Sequence, residues 1–196
     1  MEFNIKDLKK YANENNVPIM QDDGIEFLTK FIVNNNINSV LEIGTAIGYS
    51  AIMMANANPK LKITTIERDQ DRYLEAVKNV KAAGLENRIT LIFKDALDAV
   101  IDDKFDLIFI DAAKGQNINF FEKYERNLNE KGYIVTDNMN FHGLVNKNPS
   151  EIESRNLRQL VRKINEYKDY LQNRKDYTVE FLEIGDGIAL ISKKKD

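Results

Sequence analysis

The chain of 196 residues contains no cysteine. This absence excludes disulfide bonds, zinc-thiolate sites and cysteine nucleophiles, and it is compatible with a reducing compartment. Membrane signals are also missing, because no apolar run reaches spanning length and residues 1–7 carry charges where a signal peptide needs an apolar core. We therefore expect a soluble, cytoplasmic protein that does not bind membranes.

Histidine is almost as rare as cysteine, since His142 is the only one. A Ser-His-Asp triad would need this residue together with a serine on a strained turn, and no G-x-S-x-G motif is present. Hydrolase chemistry is therefore disfavoured. His142 belongs either to a mobile loop over a site or to an ordinary loop, and the sequence leaves both open.

Excess positive charge is absent too, because the net charge is −3 and the pI is about 5.4. Such a chain has no overall attraction for phosphate backbones, so nucleic acid would have to bind a local basic patch. A solvated helix face and a frayed tail are the ordinary explanation of the basic clusters that do occur. The candidates for a patch are Arg155, Arg158, Arg162, Lys163, Arg174, Lys175 and Lys193–Lys195.

The spacing of apolar residues predicts an α/β fold made of a single domain over residues 1–196. Helical spacing at residues 5–15 and 24–35 predicts a helical cover formed by residues 1–38. From Ser39 onward strands alternate with helices, which indicates a mostly parallel sheet with helices on both faces. The predicted strands are 39–43, 62–67, 89–94, 105–110, 133–136, 177–184 and 188–192, and the later helices are 70–83 and about 151–172.

Two details of the sheet follow from composition. The segments 89–93 and 105–110 are nearly continuous apolar runs, which predicts two central strands covered on both faces. Near the end of the chain, Gly185-Asp186-Gly187 separates two strand patterns and is a strong hairpin signal. The last strand is therefore predicted to run antiparallel.

The stretch Val40–Ser50 runs from a buried strand pattern into a glycine-containing turn and then a helix. Gly44 would let the main chain approach a ligand, and Glu67, which closes the next strand, would accept both hydroxyl hydrogens of a ribose. The spacing G-x-x-x-G differs from the G-x-G-x-x-G that cradles a pyrophosphate, so a nucleoside without phosphates fits better. S-adenosylmethionine (SAM) is such a ligand, with Glu42, Gly44 and Ser50 at its amino-acid end. The alternative is a glycine turn that only packs a helix on a sheet.

Acidic or amide side chains follow the predicted strands, at the edge where open α/β sheets bind ligands. Asp111, Asp137 and Asn138 would converge from neighbouring strands as two carboxylates and one amide oxygen, a set suited to Mg²⁺. Lys114 lies one short turn beyond Asp111 and is the candidate base. Taken singly, helix caps, an Asx turn and a surface lysine explain these residues as well. Their joint occurrence after adjacent strands favours a metal site.

The assembled motifs resemble the cation-dependent SAM O-methyltransferases of the catechol and caffeoyl-CoA type. They are Val40–Gly44, Gly48–Ser50, Glu67–Asp69, Phe109–Lys114 and Asp137-Asn138, and the resemblance spans nearly the whole chain. It implies a Rossmann-like class I methyltransferase with a seven-stranded sheet, and a homodimer. It also implies that Asp111, Asp137 and Asn138 bind the metal and that Lys114 and Asp111 are catalytic. The cofactor-binding residues are then Met20, Glu42, Gly44, Ser50, Glu67, Asp95, Ala96 and Asp111.

Within that family, three segments look most like the bacterial branch that methylates 5-hydroxyuridine in tRNA: Val17–Met20, Asp137–Gly143 and Arg155–Arg158. The implied reaction is Mg²⁺-dependent methylation of the 5-hydroxyl at the wobble position, giving 5-methoxyuridine, with Lys114 as the base. A small catechol-like phenol is the alternative acceptor, and the acidic pI favours it. A SAM-binding scaffold without turnover is an alternative of another class. An NAD-dependent oxidoreductase is opposed by the missing G-x-G-x-x-G.

Overall fold

The computed structural model describes residues 3–194, apart from the side chain of Pro149, so Lys195 of the predicted basic tail lies outside the described residues. Within this range the chain forms six α-helices and seven β-strands. The helices are α1 (Ile5–Glu14), α2 (Asp22–Asn34), α3 (Tyr49–Ala57), α4 (Gln70–Ala82), α5 (Asn117–Tyr124) and α6 (Arg155–Asn173). The strands are β1 (Ser39–Ile43), β2 (Lys62–Glu67), β3 (Ile89–Phe93), β4 (Phe105–Ile110), β5 (Leu128–Thr136), β6 (Tyr177–Leu182) and β7 (Ile188–Lys193).

The described strands form one sheet in the order β3-β2-β1-β4-β5-β7-β6. Strands β1 to β5 run parallel, and β7 runs antiparallel to both of its neighbours, β5 and β6. The predicted mostly parallel sheet with an antiparallel last strand is confirmed. Strand order reverses between β1 and β4, so the carboxyl ends of these two strands mark the crevice where such sheets bind ligands.

Helices cover both faces of the sheet, as predicted. Along β4, Leu107 and Phe109 are buried in one apolar cluster with residues of α1, α2 and α3, whereas Ile108 and Ile110 are buried in a second cluster with residues of α5 and α6. Successive side chains of a strand point to opposite faces, so a strand covered on both sides must be apolar at every position. This explains the continuous apolar run of β4 and confirms it as a central strand.

The prediction of a central position is wrong for β3. This strand pairs with β2 and forms one edge of the sheet within the described chain, and Phe93 is 50% exposed. Its apolar run reflects aromatic and β-branched strand formers, which also suit an edge strand. The ring of Phe93 packs 5.1 Å from that of Tyr73 on α4, which shelters part of this edge.

The two predicted amino-terminal helices are confirmed as α1 and α2. Their buried residues include Leu8 and Ala12 from α1 and Leu28 and Ile32 from α2, all within the first apolar cluster. The segment between the two helices, residues 15–21, passes over the carboxyl edge of the sheet, where it lines the cavities described below. None of the described helices is long and apolar enough to cross a membrane.

Candidate active site

The turn after β1 is built around Gly44, and the structure gives a reason for this glycine that the sequence did not. Gly44 has a φ of +102°, and a Cβ at this position would lie 2.1 Å from the backbone carbonyl oxygen of Asp111. A side chain is therefore excluded by both the backbone conformation and the close approach of the neighbouring strand end. The turn after β1 and the turn after β4 are packed directly against each other.

A cavity of about 270 Å³ opens above this turn, at the carboxyl edge of the sheet. Its position matches the crevice that the reversal of strand order defines. Seven of the eight predicted cofactor-binding residues line it: Met20, Gly44, Ser50, Glu67, Asp95, Ala96 and Asp111. We call it the donor cavity.

Glu42 is the predicted cofactor residue that does not line the donor cavity. Its side chain is fully buried in β1 and accepts hydrogen bonds of 2.5 Å from the hydroxyls of Ser50 and Thr65. Burial raises the pKa of the Glu42 carboxyl to about 8, against the opposing effect of these two hydrogen bonds. Glu42 thus orients the hydroxyl of Ser50, which lines the cavity. The predicted direct contact between Glu42 and the cofactor is not what the structure shows.

Glu67 ends β2 with its carboxylate already oriented by the backbone. One oxygen accepts the N–H of Ala46 at 2.8 Å, and the other accepts the N–H groups of Arg68 and Asp69 at 2.9 and 2.8 Å. A carboxylate offers about four lone-pair positions, so acceptor capacity remains for a ligand in the cavity. With three backbone N–H groups already bound, about one lone-pair position is left on the Oε2 side, next to the cavity.

Asp95 lies at the far end of the donor cavity. Its Oδ1 accepts the backbone N–H of Leu97 at 2.9 Å, and its Oδ2 lies 3.2 Å from the guanidinium of Arg68. The hydrogen bond from Leu97 is the main cause that lowers the pKa of this carboxyl. Asp95 therefore fixes the turn that follows β3 as well as lining the cavity.

Asp111, Asp137 and Asn138 meet where β4 and β5 end, as the sequence predicts. The side-chain nitrogen of Asn138 lies 3.0 Å from an oxygen of each aspartate. Burial raises the pKa of the Asp111 carboxyl. Burial and then the charge of Asp111 raise the pKa of Asp137 to about 7. Asp137 is buried and Asp111 partly buried, and the repulsion between their two carboxylates would be relieved by a positive charge bound near both.

The donor set fits a hard divalent cation. Two carboxylates and one amide converge at the junction of neighbouring strands, and oxygen ligands of this kind are the ones that Mg²⁺ prefers. The nitrogen and oxygen of an Asn amide are assigned from hydrogen bonding, and a half-turn of the Asn138 amide would present its oxygen beside the two carboxylates. Asn138 also has a φ of +65°, an uncommon backbone conformation for a residue other than glycine.

Lys114 lies in a single helical turn that follows β4, between the donor cavity and a second one. Its positive charge acts against burial on the pKa of Asp111 and of Asp137. Its Nζ lies 5.8 Å from the centre of the Phe141 ring. The structure thus places the predicted base beside the predicted metal ligands, facing the space that both cavities share.

The second cavity, of about 660 Å³, adjoins the donor cavity, and we call it the acceptor cavity. Pro18, Ile19, Lys114 and Asn138 line both cavities. The sequence placed Ile19 and Phe141 only within segments that resemble the tRNA-methylating branch, and it left His142 undecided between a loop over the site and an ordinary loop. The structure places all three in the wall of the acceptor cavity, together with Asp137, Leu160 and others.

The predicted basic patch is only partly free. Arg158 donates to the backbone carbonyls of Ile152 and Glu153 at 2.5 and 3.0 Å. Its guanidinium is therefore bound to the segment that precedes α6. Arg162 and Lys163 both pair with Glu166, at 2.7 and 3.0 Å. They nevertheless line a surface groove with Gly115, Asn156, Gln159 and Leu160, and this groove adjoins the acceptor cavity through Gly115 and Leu160.

Several cavity residues escaped sequence reasoning. Tyr49, Arg72 and Phe120 line the donor cavity, although none was predicted as a site residue; only Tyr49 lies in one of the motifs, Gly48–Ser50. Tyr49 carried a signal, because it opens the helix that follows the glycine turn. Arg72 and Phe120 carried none, since their positions depend on how α4 and α5 pack on the sheet.

Known proteins resemble this chain in sequence and in fold. A family profile described as O-methyltransferase matches residues 1–194. A protein from Arabidopsis thaliana, provisionally named caffeoyl-CoA O-methyltransferase, is 31% identical over 189 residues, which cover 93% of this chain and 81% of the relative. The crystal structure of a protein from Staphylococcus aureus, also provisionally named caffeoyl-CoA O-methyltransferase, is 38% identical with a TM-score of 0.92, covering 97% of this chain and 92% of the other.

A more distant structure shows the shared fold. An O-methyltransferase from Bacillus cereus, solved in complex with SAH, is 22% identical with a TM-score of 0.83 and covers 97% of this chain and 90% of the other. The family profile spans nearly the whole sequence, so the chain belongs to the O-methyltransferase family. The family resemblance stated from the motifs is confirmed.

Proposed function

We propose that the protein transfers the methyl group of SAM to a hydroxyl oxygen with the help of Mg²⁺ or another hard divalent cation. We further propose that the acceptor is 5-hydroxyuridine at the wobble position of tRNA, which becomes 5-methoxyuridine. The observation that carries the proposal is the junction of two cavities at Asn138 and Lys114, beside the carboxylate pair. A donor in one cavity and an acceptor in the other would meet at that junction.

The donor cavity supports SAM as the methyl donor. Glu67 presents a preoriented carboxylate for the ribose hydroxyls, and the turn at Gly44 and Ser50 suits the amino-acid end. The related enzyme from Bacillus cereus was solved with SAH, the molecule that SAM becomes on losing its methyl. Bound SAM would supply an electrophilic methyl group on a sulfonium.

The residues of the chain would hold and deprotonate the acceptor. Asp111, Asp137 and Asn138 would hold a divalent cation, which lowers the pKa of a chelating hydroxyl by its Lewis acidity. Lys114 in its neutral amine form would take the hydroxyl proton on Nζ, since it lines the shared space and lies beside Asp111. Pro18 and Ile19 would exclude water from the junction. Alignment of oxygen, methyl carbon and sulfur can account for several kcal/mol of such a barrier, up to about 10.

Two kinds of methyl acceptor have a pair of adjacent oxygens that could chelate a cation at this site. In 5-hydroxyuridine the 5-hydroxyl adjoins the 4-carbonyl oxygen, and in a catechol two hydroxyls are adjacent. The groove along α6 favours the larger acceptor, because it extends the acceptor cavity past Asn156, Gln159 and Arg162 over a surface that flanking nucleotides would occupy. The relative named for caffeoyl-CoA favours the small phenol as the second candidate.

The deciding experiment offers both acceptors to the same preparation. The protein is incubated with SAM, Mg²⁺ and tRNA that contains 5-hydroxyuridine, and separately with caffeic acid as a catechol. Nucleoside mass spectrometry is expected to show 5-methoxyuridine, which disappears when a chelator is added. Methylated catechol without any tRNA product would establish the small phenol instead. SAM binding without turnover on either acceptor would point to the scaffold role.

A further inference from the structure

The hairpin between β6 and β7 carries a buried carboxylate that the sequence assigns only to a turn. Asp186 is 5% exposed, and its Oδ1 accepts the backbone N–H of His142 at 2.5 Å. Its Oδ2 has no hydrogen-bond partner among the described residues and lies 3.8 Å from Nδ1 of His142. Buried polar atoms are normally paired, so an unpaired carboxylate oxygen opposite an imidazole indicates a role for that ring.

The same hairpin fixes the backbone that leads to His142. The N–H groups of Met139 and Asn140 donate to the carbonyls of Gly187 and Asp186 at 2.9 and 2.8 Å. Gly187 has a φ of +83°, and a Cβ there would lie 2.7 Å from the side chain of Asn140. The loop that follows Asp137 and Asn138 is therefore seated on the hairpin at several points.

His142 itself lies in the wall of the acceptor cavity, with its side chain 67% exposed. Phe141 and His142 have φ values of +43° and +56°, so two consecutive residues other than glycine adopt the left-handed region. Such backbone persists only where the surroundings hold it, and it is concentrated at ligand sites. The hydrogen bond from the His142 N–H to Asp186 provides that hold.

We propose that His142 contacts the acceptor molecule and that Asp186 is the positioning residue that fixes its imidazole ring. A small rotation of the ring that shortens the 3.8 Å separation would let Nδ1–H donate to Oδ2 of Asp186, and Nε2 would then present a lone pair to the cavity. This atom suits an acceptor that carries an N–H beside its chelating oxygens. Resting on the proposed function, this assigns the contact to N3–H of the uracil ring, which adjoins the 4-carbonyl. A catechol has no such group.

The test compares two anticodon stem-loops, one with 5-hydroxyuridine at the wobble position and one with its N3-methyl derivative, which lacks the N–H. Three proteins are assayed: wild type, His142→Asn and Asp186→Asn. Asn tolerates the left-handed backbone at position 142, and at position 186 it keeps an oxygen for the His142 N–H. Wild type is expected to prefer the N–H form by about tenfold or more in kcat/KM. Both variants should lose most of this preference through KM, with little change in kcat.

Binding gives a readout that does not depend on turnover. Fluorescence anisotropy measures the Kd of both stem-loops with the SAH-loaded protein, and Asn146→Ala serves as a control in the same segment. The proposed contact is supported if His142→Asn no longer prefers the N3–H stem-loop, Asn146→Ala still prefers it, and both variants unfold at the temperature of the wild type. Equal preference in wild type and His142→Asn overturns it while leaving the proposed function intact. If wild type methylates neither stem-loop, the proposed acceptor and this contact are both wrong.

Discussion

At the scale of single residues, the site depends on charges that the fold has moved out of water. Asp111 and Asp137 are held at neighbouring strand ends with Lys114 close by, and burial raises the pKa of both carboxyls. Perturbed groups of this kind at the wall of a cavity are typical of functional sites. Three substitutions test the proposed base Lys114, the proposed cation ligand Asp137 and the buried carboxyl of Glu42 in turn.

Lys114→Met tests the base. The variant keeps the length and apolar stem of the side chain and loses the amine, so kcat should fall by about 10²- to 10⁴-fold, as is usual for loss of a general base. The Kd for SAM, measured by calorimetry, should change by less than about threefold because the donor site is intact. A variant with normal kcat would rule Lys114 out as the base.

Asp137→Ala tests the cation site. Activity stimulated by Mg²⁺ should disappear, because one of the two carboxylates is lost and the remaining set holds a divalent ion weakly. Mg²⁺ titration of activity, together with calorimetry of Mn²⁺ binding, measures the effect. Asp98→Ala, which removes an exposed carboxylate that lines neither cavity, is the matched control. Full activity of Asp137→Ala in buffer with chelator would contradict the metal assignment.

Glu42→Gln tests the buried carboxyl. The folded pKa is raised from 4.5 to about 8, so between these values the folded protein keeps a proton that the unfolded chain releases. Stability is therefore greatest below the lower value and falls as pH rises through the window, by up to about 1.4 kcal/mol per pH unit. Urea unfolding across this range should show a flatter dependence for Glu42→Gln than for wild type. Parallel curves for the two proteins would be the contrary result.

At the scale of elements, the packing of strand ends against each other sets the shape of the donor cavity. Gly44 and Asp111 approach so closely that no Cβ fits between them. Two other glycines with positive φ, Gly84 and Gly143, lie in open space among the described residues. Gly84 after α4 has a φ of +67° and would bring a Cβ within 4 Å of nothing among the described residues.

These two glycines provide a matched pair of variants. Gly84→Ala should cost about 1 kcal/mol, the ordinary price of a left-handed residue. Gly44→Ala should cost more than about 3 kcal/mol in urea unfolding, because the strand ends must separate as well. It should also abolish SAM binding. Equal losses of stability in the two variants would show that only the backbone conformation matters at Gly44.

Helices and strands whose apolar residues recur at regular spacing were predictable from the sequence. Elements whose limits depend on packing against other parts of the chain were harder to predict. The bounds of β1, β2 and β4 agree with their patterns, since each is a short run rich in β-branched and apolar residues between polar or glycine-containing segments. Helix α5 was not predicted, although Phe120, Phe121 and Tyr124 have helical spacing and are buried. Strand β5 begins at Leu128, before the predicted start, because the polar segment Asn129–Lys131 interrupts its apolar run.

The site was predictable where it follows strands and not where it depends on loops. Parallel strands end at one edge, so Asp111, Asp137 and Asn138 had to lie near one another. Glu42 was misplaced because alternation along β1 turns its side chain into the core beneath Ser50. Asp186 escaped notice because its contact with His142 joins segments that are 44 positions apart.

At the scale of the whole molecule, a net charge of −3 means that any tRNA must be held locally. The groove along α6 offers Arg162 and Lys163, although both share Glu166. Arg155 is exposed at the start of the same helix. Phosphate contacts from these side chains would release counterions, and this makes binding depend on salt.

Arg162→Ala should reduce tRNA affinity and lower the slope of log K against log salt concentration by about one. Arg155→Ala is expected to act in the same way. Arg126→Ala is the control, because Arg126 is exposed directly before β5, at the opposite edge of the sheet. Filter binding at several salt concentrations gives the slopes. If all three variants have the same slope of log K against log salt concentration, the α6 groove does not bind tRNA.

The contact between Gly44 and the Asp111 carbonyl has a thermodynamic consequence. A ligand that shifts the turn after β1 would also shift Asp111, one of the proposed cation ligands, because the two backbones are in direct contact. Occupancy of either site should therefore alter affinity at the other, and linkage requires the two effects to be equal. Donor and cation would then bind cooperatively, so a cell short of one would leave the enzyme poorly loaded with the other.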